Sequence, residues 1–246
     1  MNSFRSSNKQ LSLFTTAGYP QLDSLNEQLS IMEAAGIDFV EVGIPFSDPL
    51  ADGPVIQETS KIALENGMNV SLLFDQLSQR TSRIPVVLMG YLNPVLSFGM
   101  KRFLEHCRRC EIRTVILPDL SMEIYQRDYQ LMFEDHDVSP AFLVTPLSTN
   151  ERIELAAKLP NNSFVYLVSG NVTTGAHSSA LAANDIRYQE VRALCGSTPV
   201  FIGFGIRTKE DVVTVHKNAD GAIIGSAFLE ALSRGEQTLF LSSIRS

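Results

Sequence analysis

The stretch VEVGIPFSDPLADGP, Val40 to Pro54, decides how the rest of the chain is read. It opens as a short β-rich run carrying one acid, Glu41. It then breaks into a loop with three prolines and two more acids, Asp48 and Asp52. Successive side chains on a strand face opposite ways, so Phe39, Glu41 and Gly43 share one face and Val40, Val42 and Ile44 the other. An ionised carboxylate on the interior side of such a strand is costly unless something compensates it. Glu41 is therefore either paired to a buried Arg or backbone donor, or kept as a tuned general acid/base.

Outward from this stretch, short apolar runs alternate with segments of helical period. The predicted strands are Leu11 to Thr16, Phe39 to Gly43, Val86 to Met89, Thr114 to Leu117, Ala141 to Thr145, Phe164 to Val168, Val200 to Gly203 and Ala222 to Ile224. Helical patterning covers Leu22 to Ala35, Val55 to Glu65, Leu72 to Arg83, Ser97 to Arg109, Met122 to Glu134, Asn150 to Lys158, Asn184 to Leu194 and Thr208 to Asn218. Gly36 suits a helix C-terminus, and Ser121, Asn150 and Thr208 suit N-caps. Runs such as VVLMG and VILPD are continuously apolar, as parallel strands covered by helices should be. Eight β-then-α units without a composition break predict a single-domain (β/α)8 TIM barrel spanning residues 1–246.

Composition narrows the function classes. With 44% hydrophobic and 19% charged residues, the 246-residue chain can bury a sizeable core. Its net charge of −7 is spread without blocks, which disfavours a nucleic-acid partner. The polar start MNSFRSSNKQ lacks an apolar export segment and no run is long enough to span a bilayer, so no membrane association and a cytoplasmic location are expected. Cys107, Cys110 and Cys195 make no disulfide framework. The first two stand one helical turn apart in FLEHCRRCEI and read as an inert pair.

In such barrels the active site faces the C-terminal ends of the strands. Glu41, Asp52, Phe14, Tyr91 and Tyr166 fall there, as do Gly203, Phe204 and Gly205 after the seventh predicted strand and Gly225 and Ser226 after the eighth. Each glycine pair alone reads as a turn; together, after the last two strands, they form a candidate phosphate site. Two other site chemistries lack their residues. All six lysines lie on helices, helix starts or the N-terminal tail, where no Schiff base could form at a strand end. His106, His136 and His216 read as isolated surface residues and His177 stands alone in a loop, so no metal site is expected. Acid/base chemistry remains.

The runs LFTTAGYP (Leu13–Pro20), GIPFSDPLADGP (Gly43–Pro54), MGYLNP (Met89–Pro94), VYLVS (Val165–Ser169), GFGIR (Gly203–Arg207) and IGSA (Ile224–Ala227) resemble the α subunits of tryptophan synthase over essentially the whole chain. That resemblance implies retro-aldol cleavage of indole-3-glycerol phosphate to indole and glyceraldehyde-3-phosphate. Glu41 would move protons at the indole C3 and the glycerol hydroxyl. Asp52, the more solvated acid, would stay ionised and accept from the indole N–H. Phe14, Ile56, Tyr91, Tyr166, Thr174, Gly175 and Phe204 would contact the substrate, although Ile56 and Tyr91 equally suit core packing. Gly175, Gly203, Gly205, Gly225 and Ser226 would hold the phosphate. Asp48, before Pro49, reads equally as a turn-former.

The resemblance further implies no cofactor in this chain, a pyridoxal-phosphate β subunit as partner in an αββα heterotetramer, and indole passed to it. One loop departs from the family pattern. SGNVTTG (Ser169–Gly175) has Gly170 where an arginine or bulkier residue is common, and Val172 where the family has Gly. A β-branched residue resists the positive φ that a closing lid uses. The alternative expectation is thus a catalytically impaired α subunit acting mainly as an allosteric activator of the β subunit. The C-terminal helix after Arg234 is also shorter than the family pattern.

Overall fold

The acid-bearing run forms strand β2, Phe39–Gly43, buried along its whole length. It was located in a computed structural model that describes Phe4, residues 9–169 and residues 185–245. The other strands are β1 (Gln10–Thr16), β3 (Val86–Met89), β4 (Thr114–Ile116), β5 (Ser139–Pro140), β6 (Leu143–Val144), β7 (Val165–Val168), β8 (Val200–Gly203) and β9 (Gly221–Ile224). They form one sheet in the order β5-β4-β3-β2-β1-β9-β8-β7-β6, with every pairing parallel.

The two ends of that order are one strand. β5 and β6 are separated by Ala141 and Phe142 alone, and these residues switch partners. Ala141 N–H donates to Val115 O on the β4 side at 2.9 Å, and Tyr166 N–H donates to Phe142 O on the β7 side at 3.0 Å. Read as one strand, β5–β6 closes eight strands into a (β/α)8 barrel. The predicted fifth strand, Ala141 to Thr145, thus begins earlier, at Ser139, because Arg113 O receives the Ser139 N–H before Pro140 interrupts donation.

The barrel interior fills by matching large to small. Phe39, Phe164 and Phe201 meet near the N-terminal ends of the strands, with ring centroids 4.9 to 5.8 Å apart. Phe4 inserts edge-on among them, 4.8 Å from Phe164 and 5.2 Å from Phe39. A Cβ on Gly221 would collide with the Phe201 ring, and one on Gly203 with the Tyr166 hydroxyl. Glycine at these strand positions therefore provides space, and its backbone freedom is not the reason for it.

The helical segments largely match expectation, with three informative departures. Ser97 to Arg109 is two helices, Leu92–Phe98 and Met100–Arg109, broken at Gly99, whose φ of 98° no other residue adopts cheaply. Within Met122 to Glu134, a π turn spans Tyr125–Tyr129. Residues eight apart on a regular helix lie about 80° apart around its axis. The extra residue of the π turn brings Tyr125 onto the face of Phe133, and the rings meet at 5.4 Å. Asn150 is not an N-cap; Thr149 is, its hydroxyl accepting from Arg152 N–H. Ser121 and Thr208 do cap their helices, Thr208 in a reciprocal box with Asp211.

Truncating the plug should be costly. Phe201→Ala is expected to remove about 3–5 kcal/mol of stability, seen as a lower urea midpoint at unchanged m. A loss below 1 kcal/mol would show that the aromatic cluster is not a packed unit.

Candidate active site

Above the aromatic plug the barrel is not filled. The C-terminal strand ends open into a cavity of about 510 Å³, reached by Glu41 from β2, Phe14 from β1 and Tyr166 from β7. Phe14 and Glu41 are register partners on adjacent strands and point the same way, as their alternation requires. Gly43 clears the space that the Phe14 ring occupies.

Glu41 is 1% exposed. Its Oε1 is buried and has no hydrogen-bond partner among the described residues. Among the described residues no Arg forms an ion pair with it, which speaks against the pairing alternative for this acid. Burial without compensation pushes the carboxyl up to about 8. The neighbouring Tyr166 hydroxyl is also raised, first by burial and then by the charges of Glu41 and Asp52.

Asp52 lies beside this cavity. It lines a recess of about 10 Å³ with Tyr91, and Phe14, Ile56 and Met89 line both spaces. Asp52 is half-buried, and desolvation raises its carboxyl while the Tyr91 hydroxyl, donating to it, pulls it back. Asp52, read from sequence as the more solvated acid that stays ionised, is thus shifted in the same direction as Glu41. Tyr91 does more than wall a slot. Its hydroxyl also accepts the Ala51 N–H at 3.0 Å, and its ring packs on Phe46 at 5.5 Å. One phenol thus fixes two consecutive residues of the acidic loop.

The opposite rim is built by the turns after β8 and β9. Phe204 and Gly205 have φ of 72° and 73°. A left-handed phenylalanine costs roughly 1–2 kcal/mol. The turn is held by Ser169, whose hydroxyl donates to Phe204 O at 2.6 Å and whose N–H donates to Gly203 O at 3.1 Å. Gly225 and Ser226 start the helix Ser226–Ser233, whose free N–H groups and dipole suit an anion. Phe204, Gly205, Gly225 and Ser226 all line the cavity. Gly203 lies deeper, under Tyr166.

Ile56, on the helix Pro54–Glu65, lines the cavity as expected. Asp48 is exposed and receives the Ser47 hydroxyl at 2.5 Å, a local turn contact. Thr174, Gly175, His177 and the departures at Gly170 and Val172 lie outside the described residues. Sequence reasoning missed Met89, Leu143, Ile223, Ser169 and Arg207 as lining residues. For Met89 and Ile223 the signal was present, because each shares its strand's inward alternation.

Among the described residues no group of three His, Cys, Asp or Glu could hold a metal, and no helix is long and apolar enough to cross a membrane. Cys107 and Cys110 are buried, free, and raised chiefly by burial, the reverse of a reactive thiol pair. His106, His136 and His216 are half-buried, not surface residues. His106 packs on Phe74 and Phe98, and His216 Nε2 meets Gln10 O at 3.1 Å.

A closed parallel barrel with a buried acid facing an apolar cavity, and a helix N-terminus across from it, is an arrangement suited to proton transfer on an anionic ligand. The family model for the tryptophan synthase alpha chain matches residues 2–240. A tryptophan synthase alpha chain of Flavobacterium psychrophilum is 42% identical over 92% of this chain and 89% of its own length. One from Phocaeicola vulgatus is 42% identical over 90% and 86%. The solved subunit α from Campylobacter jejuni superposes with a TM-score of 0.85 at 29% identity, covering 99% of this chain and 96% of that one. The chain belongs to the tryptophan synthase alpha chain family.

Two outcomes test this electrostatic picture. With its folded pKa raised to about 8 and its ordinary value near 4.5, Glu41 binds more protons folded than unfolded between those limits. Its contribution to stability is full below pH 4.5 and is lost as pH rises to 8. Glu41→Gln, which cannot ionise, should therefore gain on wild type across that window by on the order of 4 kcal/mol, measured by urea unfolding at pH 5 and pH 9. A constant difference would mean that Glu41 is not buried neutral. Tyr91→Phe should raise the Asp52 carboxyl further, read by carboxyl NMR titration; an unmoved Asp52 would show that the phenol does not hold it.

Proposed function

We propose that this chain cleaves indole-3-glycerol phosphate by a retro-aldol reaction, and the observation that carries the proposal is the buried Glu41 facing the cavity, its Oε1 without a partner among the described residues. A carboxyl titrating near 8 is protonated at neutral pH and can donate to the indole C3. The resulting carboxylate then takes the proton of the glycerol hydroxyl as the C–C bond breaks, leaving indole and the aldehyde of glyceraldehyde-3-phosphate. Asp52 accepts from the indole N–H and disperses the charge that C3 protonation places on the ring. Phe14, Ile56, Tyr166 and Phe204 form the apolar slot. The N–H groups at Gly205, Gly225 and Ser226 take the phosphate. Thr174 and Gly175 complete the contacts in the proposed closed site.

The same reading makes the chain a single cytoplasmic barrel domain that pairs with a pyridoxal-phosphate β subunit in an αββα assembly and hands indole to it. The reading of an impaired, mainly regulatory chain rests on the loop 169–175, of which residues 170–175 lie outside the described residues, and nothing in the described site favours it.

Single-turnover release of indole from indole-3-glycerol phosphate is the test. Glu41→Gln should lower the rate by at least about 10²-fold while Tm does not fall. Wild-type kcat/KM should decline above pH 8 as the acid is lost. Cleavage by Glu41→Gln at the wild-type rate would refute the assignment.

A further inference from the structure

Among the described residues lining the cavity, two are of acidic or basic type, Glu41 at the base and Arg207 at the rim, and with Glu41 held neutral Arg207 is the charged one. Arg207 ends the GFGIR run, directly after the turn of Phe204 and Gly205. Its backbone is fixed, because its N–H donates at 2.9 Å to Asp211 Oδ2, the carboxylate that also closes the Thr208 capping box. Its guanidinium forms a fork with Glu230: one terminal nitrogen donates to Oε1 at 3.2 Å and the other to Oε2. The pair is half-exposed, at 38% and 31%.

The placement of Glu230 matters. It lies four residues beyond Ser226 on the same helix, so the two side chains share a face. The fork therefore holds the guanidinium on the side of the helix that Ser226 begins. It also occupies two of the five N–H donors, leaving three. A dianion entering this cavity meets a chain of net charge −7 and, without Arg207, only uncharged donors among the described lining residues. Guanidinium matches phosphate geometry bidentately, and a half-exposed ion pair is weak enough to exchange.

We propose that Arg207 is a phosphate-binding residue of this site, held ready by Glu230 and shared between that carboxylate and the phosphate of the bound ligand. The inference rests on the phosphate reading given above. It assigns a cation to a cradle otherwise made of backbone N–H groups, and it makes Glu230 a competitor of the ligand. Removing the two partners should therefore have opposite effects.

Calorimetric titration of the full chain with glycerol 3-phosphate, which carries the phosphate tail without the indole, tests this. Arg207→Gln should weaken binding about tenfold, and the loss with indole-3-glycerol phosphate should fall on KM more than on kcat. Arg207→Lys should restore part of the affinity. Glu230→Gln should tighten binding severalfold, an outcome that structural damage does not produce. Unchanged affinity in both Gln variants, or weakening in both, would overturn the assignment. Failure of wild type to bind glycerol 3-phosphate would overturn the phosphate reading with it. Binding that is intact in wild type and indifferent to Arg207 would sink only the present inference.

Discussion

An uncompensated carboxyl inside an apolar barrel is the constraint around which this molecule is arranged. Water is kept from Glu41 by β2, by Phe14 one strand away and by Tyr166. Among the described residues no cation pairs with it, and its Oε1 has no hydrogen-bond partner. The group must then be neutral over most of the physiological range. Had an arginine been placed beside it, the same position would hold a permanent anion, useless as an acid at neutral pH. Asp52 makes the contrast: a shorter side chain, half-buried, with a phenol donating to it. Two carboxyls a loop apart are separated in proton affinity by solvent access and one hydrogen bond.

The barrel interior divides into a filled half and an empty half, and size matching does the dividing. Below, Phe39, Phe164 and Phe201 close on one another, with Gly221 leaving room. Above, Gly203 lets Tyr166 lie across the barrel and Gly43 does the same for Phe14. The cavity floor is thus set by where aromatic rings meet glycines. Its rim is set by turns, including a phenylalanine held left-handed by a serine from the neighbouring strand end. Rigid walls below and hydrogen-bonded loops above suit a site that positions one ligand by its two ends.

Much of this was legible in the chain because period and punctuation agree. β2, β3 and β8 fall where their apolar runs begin and end, since strands buried on both faces have no other pattern to show. The acid at Glu41 was legible as interior from alternation alone. What was not legible depends on distant partners. The division of the fifth strand follows from its switch between β4 and β7, which no local window contains. The π turn at Tyr125–Tyr129 answers to Phe133 and Phe142. The Tyr91 phenol reads locally as one more aromatic, and its link to Ala51 and Asp52 appears only once β3 lies beside β2. Arg207 was visible as a residue but not as a wall of the cavity, because its direction is set by Glu230 on the helix Ser226–Ser233.

The aromatic plug also bears on how the chain reaches this state. Phe4 precedes every strand of the barrel in the chain, yet its contacts are with Phe39, Phe164 and Phe201. β1 likewise finds its second neighbour only in β9. Closure of the barrel therefore waits for β9, and until then a phenylalanine and a strand edge lack their final cover. Such long sequence separations make the last step all-or-none, and nascent intermediates are the species most in need of protection from self-association.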